Sequence, residues 1–253
     1  MKSAQIRREE IWNKLAAVAL PDSRFHLNFA EVIPDFRGSD EAIRRITELP
    51  QYQQGKYAFI TPDNCLVELR KRMLEAGMTL VVSTYGIYRG FILLERQNVP
   101  PGCELFAAWL DGLEHFGRPV RLADLQPRGK FDIMITGASA VSANGVRFGK
   151  GHGFFDLEWG MFTELELADD KTPVVAVVHD VQVVEDQLEP SSTDILVDWI
   201  TTPTRLIEVK NRADRPRGIK WELLTSAQIA ATPPLQELRE ARSETRLSAA
   251  PPR

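Results

Sequence analysis

Residues able to do chemistry concentrate in one stretch, Gly145 to Asp156, which reads G-V-R-F-G-K-G-H-G-F-F-D. Gly149, Gly151 and Gly153 alternate with Lys150 and His152, and Arg147 precedes them. Glycine tolerates positive φ and lets a ligand approach the backbone closely. Successive free backbone N–H groups in such a loop form an anion-binding nest. Arg147 and Lys150 add positive charge, and a helix expected to start at Phe154 or Phe155 points its N-terminal dipole at the same place. The chemistry predicted is phosphate binding. Asp156, in the first helical turn, is positioned either to hold Mg2+ with water and phosphate oxygens or to act only as a favourable charge at a helix start. The loop fits neither common template. A Walker A loop needs four residues between its glycines, but three separate Gly145 from Gly149, and Gly151 follows Lys150. A dinucleotide fingerprint starting at Gly149 needs a glycine where Phe154 stands. The same residues also describe a plain glycine-rich turn with incidental basic side chains, and composition leaves both readings open.

The surrounding elements must present this loop. Residues 131–137, F-D-I-M-I-T-G, read as a central buried strand leading into it. The helix after the loop, about 154–168, carries a wide apolar face of Phe154, Leu157, Met161 and Leu165 with Phe155, Trp159 and Phe162 alongside. Residues 78–83 form a second buried strand. Tyr85, Tyr88 and Arg89 follow at its C-terminal end, where open α/β sheets bind ligands, or else they form an ordinary surface loop. Residues 4–20 read as a helix ended by Pro21, with Arg8 one turn before Trp12 on its apolar stripe. A charge there exits at the edge of the buried face or meets an anion. Further helices are expected over 40–49, with Ser39 as cap, over 62–76 closed by Gly77, and over 104–116. Strands are expected over 58–60, 118–122, 174–178 and 196–200. His179, Asp180 and Gln182 follow the third of these, and Asp194 and Asp198 are assigned structural roles at the last. The basic loop 208–220 is either solvated or the lining of an anionic ligand path. A helical region over 225–239 is interrupted by Pro233-Pro234. The end of the chain, from 243, is expected to be disordered.

Composition sets the bounds. The chain has 253 residues, is 43% hydrophobic and 26% charged, and carries a net charge of −4. These are globular values, and the acidic balance argues against a general nucleic-acid binder. Cys65 and Cys103 form no metal-type pair and point to a reducing, cytoplasmic setting. No apolar run is long enough to span a membrane, and the charged N-terminus lacks a signal-peptide core. Alternating strands and helices imply an α/β sandwich with a mainly parallel sheet. One domain is expected over 1–242.

The glycine stretch resembles the nucleotide loop of the 5-formyltetrahydrofolate cyclo-ligase (methenyltetrahydrofolate synthetase) family, G-x-R-x-G-x-G-x-G-Y-Y-D-R. Gly145, Arg147, Gly149, Gly151, Gly153 and Asp156 match it, whereas Phe154 and Phe155 replace the tyrosines and Leu157 the last arginine. Downstream, Gln182, Thr193-Asp194 and Val197-Asp198-Trp199-Ile200-Thr201 follow the family order. The match is nearer to a divergent branch, the synthetase-domain-containing proteins. Asp156-Leu157-Glu158 with Met161, Val178 to Val184 and Thr202 to Arg205 are similar to that branch's motifs, and so is the extension through Gly218 to Trp221.

The resemblance implies the three-layer fold of sugar-phosphate isomerases and CoA transferases. It implies ATP- and Mg2+-dependent cyclisation of 5-formyltetrahydrofolate to 5,10-methenyltetrahydrofolate in one-carbon metabolism. In that family MgATP phosphorylates the formyl oxygen, N10 attacks, and phosphate leaves. Arg147 and Lys150 are then catalytic phosphate clamps. Arg8, Gly149, Gly151, His152 and Gly153 join them in binding ATP, and Asp156 holds Mg2+. Tyr85, Phe154 and Gln182 contact the small-molecule substrate. The family's first-helix lysine is unmatched, with Ser3 or Ala4 in its place and Lys2 beside it, and Arg7 is the alternative register for Arg8. The altered tyrosines and arginine keep two alternatives in play. One is an ATP-dependent enzyme with a different heterocyclic substrate, a thiamin-related pyrimidine or thiazole for example. The other is a nucleotide- or folate-binding regulator without turnover.

Overall fold

The computed structural model describes residues 4–210 and 212–248, with side chains from residue 8 to residue 243 apart from 211. The elements run α1 (Ala4–Leu15), α2 (Ser39–Ile46), α3 (Pro50–Gln54), β1 (Tyr57–Ile60), α4 (Val67–Glu75), β2 (Thr79–Ser83) and β3 (Phe91–Leu94). Then come α5 (Glu104–Ala108), α6 (Leu110–Phe116), β4 (Arg118–Val120), α7 (Leu122–Leu125), β5 (Ile133–Gly137), β6 (Ala140–Ser142) and β7 (Arg147–Phe148). The chain continues through α8 (Phe154–Glu164), β8 (Val174–Val177), β9 (Val183–Val184), β10 (Trp199–Thr201), β11 (Leu206–Glu208), α9 (Ser226–Ala231) and α10 (Pro233–Ser248).

Eight strands form one sheet in the order β11-β10-β8-β5-β1-β2-β3-β4. The five central strands are parallel, and antiparallel strands close both edges. The continuous apolar runs dictate this, because a parallel strand is covered on both faces. Period-two alternation then splits each run between two cores. Phe59, Val81, Met134 and Ala176 face α8 and the C-terminal helices. Ile60, Val82, Ile135 and Val177 face α2 and α4 on the other side. The result is the expected helix–sheet–helix sandwich with a mainly parallel sheet. A small sheet, β7-β6-β9, stands beyond β5 and carries the glycine loop.

Several local expectations change. The first helix ends at Leu15 rather than residue 20, because Ala19 bridges to Phe36. Ser39 is the first helical residue of α2, not its cap; Gly38 at φ 82° takes that place, and the Ser39 side chain bonds Asp35. The expected helix 104–116 breaks at Trp109, whose ψ of 152° is extended. Strands β3 and β11 were not anticipated; both pair antiparallel with a strand that was. The helix α10 continues to Ser248, so residues 243–248, expected to be disordered, are helical, and 249–253 lie outside the described residues.

Candidate functional site

Strands β1, β2 and β5 are neighbours and parallel, so the loops after them share one edge of the sheet. There they line a cavity of about 230 Å3, which the glycine loop and the start of α8 close from above. The hairpin β6–β7 fixes the loop's entry. Its turn needs Gly145, at φ 86°, because a Cβ there would stand 2.7 Å from the Val197 carbonyl. Gly151 (φ 111°) and Gly153 (φ 67°) also adopt the left-handed region, and Gly153 caps α8.

Arg147 is 7% exposed and lies over the Phe155 ring, its guanidinium carbon 4.7 Å from the centroid. One guanidinium nitrogen donates to the Gly137 carbonyl at 3.4 Å, another stands 3.8 Å from Asp156 Oδ1, and Nε is buried without a partner. A Cβ on Gly149 would approach the guanidinium to 3.3 Å, so glycine makes room for this cation. Lys150 turns inward. Its Nζ donates to the Glu31 carbonyl at 2.9 Å and sits 4.8 Å from the Tyr85 ring centroid. Burial pulls the Lys150 pKa down, opposed chiefly by Asp63 and Glu31. The Tyr85 hydroxyl donates to Glu31 Oε2 at 2.6 Å, and its ring stacks on Phe25 at 5.0 Å. Arg8, on α1, donates from Nε to the Gly149 carbonyl at 3.1 Å and ties the first helix to the loop.

Carboxyls line the same cavity. Asp63 Oδ2 accepts the Thr61 hydroxyl at 2.6 Å and the Gly137 N–H at 3.0 Å. Glu158, one turn into α8, is 2% exposed, hydrogen-bonds the Ser83 side chain and lines the same cavity. Burial pushes its carboxyl up to about 8, a rise that Ser83 opposes. Asp156 is pushed up to about 6 by burial, against Arg147 and the Ile195 N–H, which donates to Asp156 Oδ1 at 3.0 Å. One cavity thus brings Arg8, Arg147, Lys150 and the loop glycines together with the carboxyls of Glu31, Asp63, Asp156 and Glu158.

Residues 1–203 match the 5-formyltetrahydrofolate cyclo-ligase family. The chain belongs to this family. It is 33% identical over 242 residues to the human methenyltetrahydrofolate synthase domain-containing protein and covers 61% of that protein's length. The bovine protein of the same name is 31% identical, with 62% of its length covered. The chain therefore spans about three-fifths of the curated relatives it matches. The solution structure of Aquifex aeolicus 5,10-methenyltetrahydrofolate synthetase superposes over 83% of this chain and 94% of its own at TM-score 0.50 and 18% identity, a likeness of fold.

Within this cyclo-ligase fold, Arg8, Arg147, Gly149, Lys150, Gly151, His152, Gly153, Phe154, Asp156 and Tyr85 all border the cavity. His152 is exposed and stacks on Phe154 at 5.3 Å. Gln182 does not border it. Its amide donates to the Ala138 carbonyl at 2.6 Å, its Oε1 accepts the His179 N–H at 2.6 Å, and it is 1% exposed. Gln182, expected at the substrate, here ties the segment after β5 to the segment after β8. Tyr88 and Arg89 also stay outside; Arg89 pairs with Glu114. Lys2 and Ser3 lie outside the described residues, and so does the side chain of Arg7.

The downstream motifs turn out to be internal staples. Asp180 accepts from the hydroxyls of Thr202 (2.7 Å) and Thr204 (2.6 Å) and from Arg205 (3.2 Å), so the V-H-D and T-P-T-R motifs are one hydrogen-bonded unit. Asp198 takes Arg212 at 2.6 Å and pairs with Arg215. Arg215 also stacks on Trp159 at 4.9 Å, so these two cations of the basic loop hold the fold rather than line a ligand path. Beyond α8, residues 218–228 wall a second cavity of about 180 Å3 that shares Asp156 and Gly153 with the first.

Glu158, Asp63 and Glu31 were missed. Glu158 carried one usable signal, a carboxylate inside an otherwise apolar helix face; Asp63 and Glu31 came from loops whose position only the sheet order determines.

A magnesium ion asks for hard oxygen ligands, several of them phosphate or water. Asp156 suits that limited role. Oδ1 is engaged, Oδ2 lies 3.9 Å from where a Gly153 Cβ would stand, and among the described residues no group of three or more acidic, His or Cys side chains gathers. A site here depends on phosphate oxygens for most of its ligands.

Proposed function

We propose that this chain binds MgATP at the glycine loop and performs the cyclo-ligase reaction of its family. In that reaction 5-formyltetrahydrofolate and ATP give 5,10-methenyltetrahydrofolate, ADP and phosphate. The observation that carries the reading is the convergence of Arg8, Arg147, Lys150 and three glycines on one cavity. Preorganised donors of this kind stabilise charge moving onto a transferring phosphoryl group. Arg147 and Lys150 clamp phosphate oxygens, and the loop N–H groups cradle them. Asp156 is the residue to hold Mg2+, which would neutralise phosphate charge. Phe25, Tyr85 and Phe154 offer aromatic faces to a planar substrate.

No tyrosine hydroxyl stands at positions 154 and 155, so a related heterocycle in place of the folate remains the second reading. Absorbance of the methenyl-folate band, followed with purified protein, MgATP and 5-formyltetrahydrofolate beside an ATP-free control, decides between them. ATP-dependent growth of the band is expected. Its absence, with MgATP binding confirmed, shifts the function to another substrate or to binding without turnover.

A further inference from the structure

Residues 20–35 make a loop whose ends meet. Ala19 bridges to Phe36, the Leu20 N–H donates to the Asp35 carbonyl, and the Arg37 N–H donates to the Val18 carbonyl. Between these ends the backbone is irregular. Among the described residues, the main-chain bonds of 22–32 stay inside the segment: Asp22 with His26 in both directions, Asn28 to Phe25, and Glu31 and Val32 to Asn28. A surface loop with closed ends and its own internal bonds is an Ω-loop, and such a unit opens locally as one piece. This one lies against the cavity. Arg24, Phe25, Glu31, Val32 and Ile33 line it, while Ser23, His26 and Asn28 face solvent.

The loop is anchored at its ends and latched across the cavity. Asn64 holds both ends, through its side chain to Asp22 Oδ2 at 2.5 Å and its N–H to the Ile33 carbonyl, and Phe29 leans on Trp12 of α1. Arg24 meets only the exposed Asp111, a pair worth little. The remaining ties reach residues on the far side of the cavity. Phe25 stacks on Tyr85, the Tyr85 hydroxyl donates to Glu31 Oε2 at 2.6 Å, and Lys150 Nζ donates to the Glu31 carbonyl at 2.9 Å. An ammonium has three donors. Lys150 gives one to a neutral carbonyl and sets its charge beside the Tyr85 ring, so it can take an anion and keep Glu31. An anion offsets the cost of burying this cation and steadies it where it holds the loop. We propose that residues 22–32 form a lid over the cavity and that Lys150 couples the lid to the ligand, so that an anion bound at the glycine loop fastens the lid through Glu31. The inference rests on the reading of that loop as a phosphate site and adds how the site closes. A fastened lid keeps water from a transferring phosphoryl group.

The test reads local opening of the lid in the full chain, with and without saturating MgATP. Two signals report it: hydrogen exchange at the amides of His26, Asn28, Glu31 and Val32, and tryptic cleavage after Arg24. Calorimetry on the same samples establishes occupancy. In the parent, MgATP is expected to slow both signals by about fivefold or more, the range of an ordinary coupling between sites. Tyr85→Phe, which keeps the ring and removes the hydroxyl tie, is expected to open more readily without ligand and still to tighten with it. Lys150→Met, brought to saturation, is expected to lose the tightening, and Lys150→Arg to keep part of it. Binding of MgATP with unchanged or faster opening in the parent overturns the lid and leaves the phosphate site standing. So does tightening of the parent's size in a folded, saturated Lys150→Met protein. Absence of MgATP binding in the parent overturns the phosphate site and the coupling together.

Discussion

Replacing Lys150 by methionine isolates the contribution of one cation to the glycine loop. The side chain already points into the cavity and holds the Glu31 carbonyl at 2.9 Å, so no rearrangement is needed for its charge to meet a phosphate. Burial destabilises the ammonium in the absence of an anion, and an incoming phosphate relieves that. A charge-assisted hydrogen bond of this kind is worth about 1.5–3 kcal/mol. Lys150→Met is thus expected to raise the Kd for MgATP by about tenfold to a hundredfold. Methionine loses both the bond to the Glu31 carbonyl and the cation over the Tyr85 ring. Together these are worth about 2 kcal/mol, or a melting shift of about 4–8 °C. The assay is calorimetric titration with MgATP, with circular dichroism to confirm the fold. A Kd within about twofold of the parent, a difference of about 0.4 kcal/mol, refutes the phosphate-clamp argument.

Four further outcomes follow from the same geometry. Asp156→Asn should flatten the magnesium dependence of ATP binding; a magnesium titration identical to the parent's leaves Asp156 only its contacts to Arg147 and the Ile195 N–H. Glu158 titrates at about 8 in the fold against an ordinary 4.5, so the stabilising neutral form is fully present below the lower value and lost as pH rises through the upper. Glu158→Gln should therefore gain stability relative to the parent between pH 5 and pH 9, by at most about 5 kcal/mol, and urea unfolding with equal pH slopes for the two proteins contradicts it. Gln182→Ala should cost about 1–3 kcal/mol of stability while leaving the affinity for MgATP in the folded fraction unchanged, and a selective loss of ligand affinity would restore Gln182 to the site. Arg215→Met leaves Asp198 with one cation fewer inside the fold and should destabilise by about 3–5 kcal/mol in chemical denaturation, whereas a solvated basic loop would tolerate it.

The last two outcomes mark where reading from sequence reached its limit. Residue chemistry was enough to place Arg147, Lys150 and the glycines together at one cavity, because a glycine-rich loop is built from consecutive residues and its signature is local. The central strands were equally legible. A run such as V-V-A-V suits a strand covered on both faces, and it lies in the parallel centre of the sheet. Gln182 and Arg215 were not legible. Whether a polar side chain meets ligand, solvent or a neighbouring carbonyl depends on what packs opposite it.

Hydrophobic pattern by itself determined the α/β layers, the resemblance of ordered motifs pointed to the family, and glycine spacing put Arg147 and Lys150 on one loop, since each is encoded within short stretches of chain. Only the tertiary structure decided which carboxyls join them. It takes β1 and β2 lying together, with α8 across their ends, to bring Asp63, Ser83 and Glu158 into one place. These residues are separated by up to 95 positions in the chain, and the desolvation that keeps Glu158 protonated exists only once that packing has excluded water.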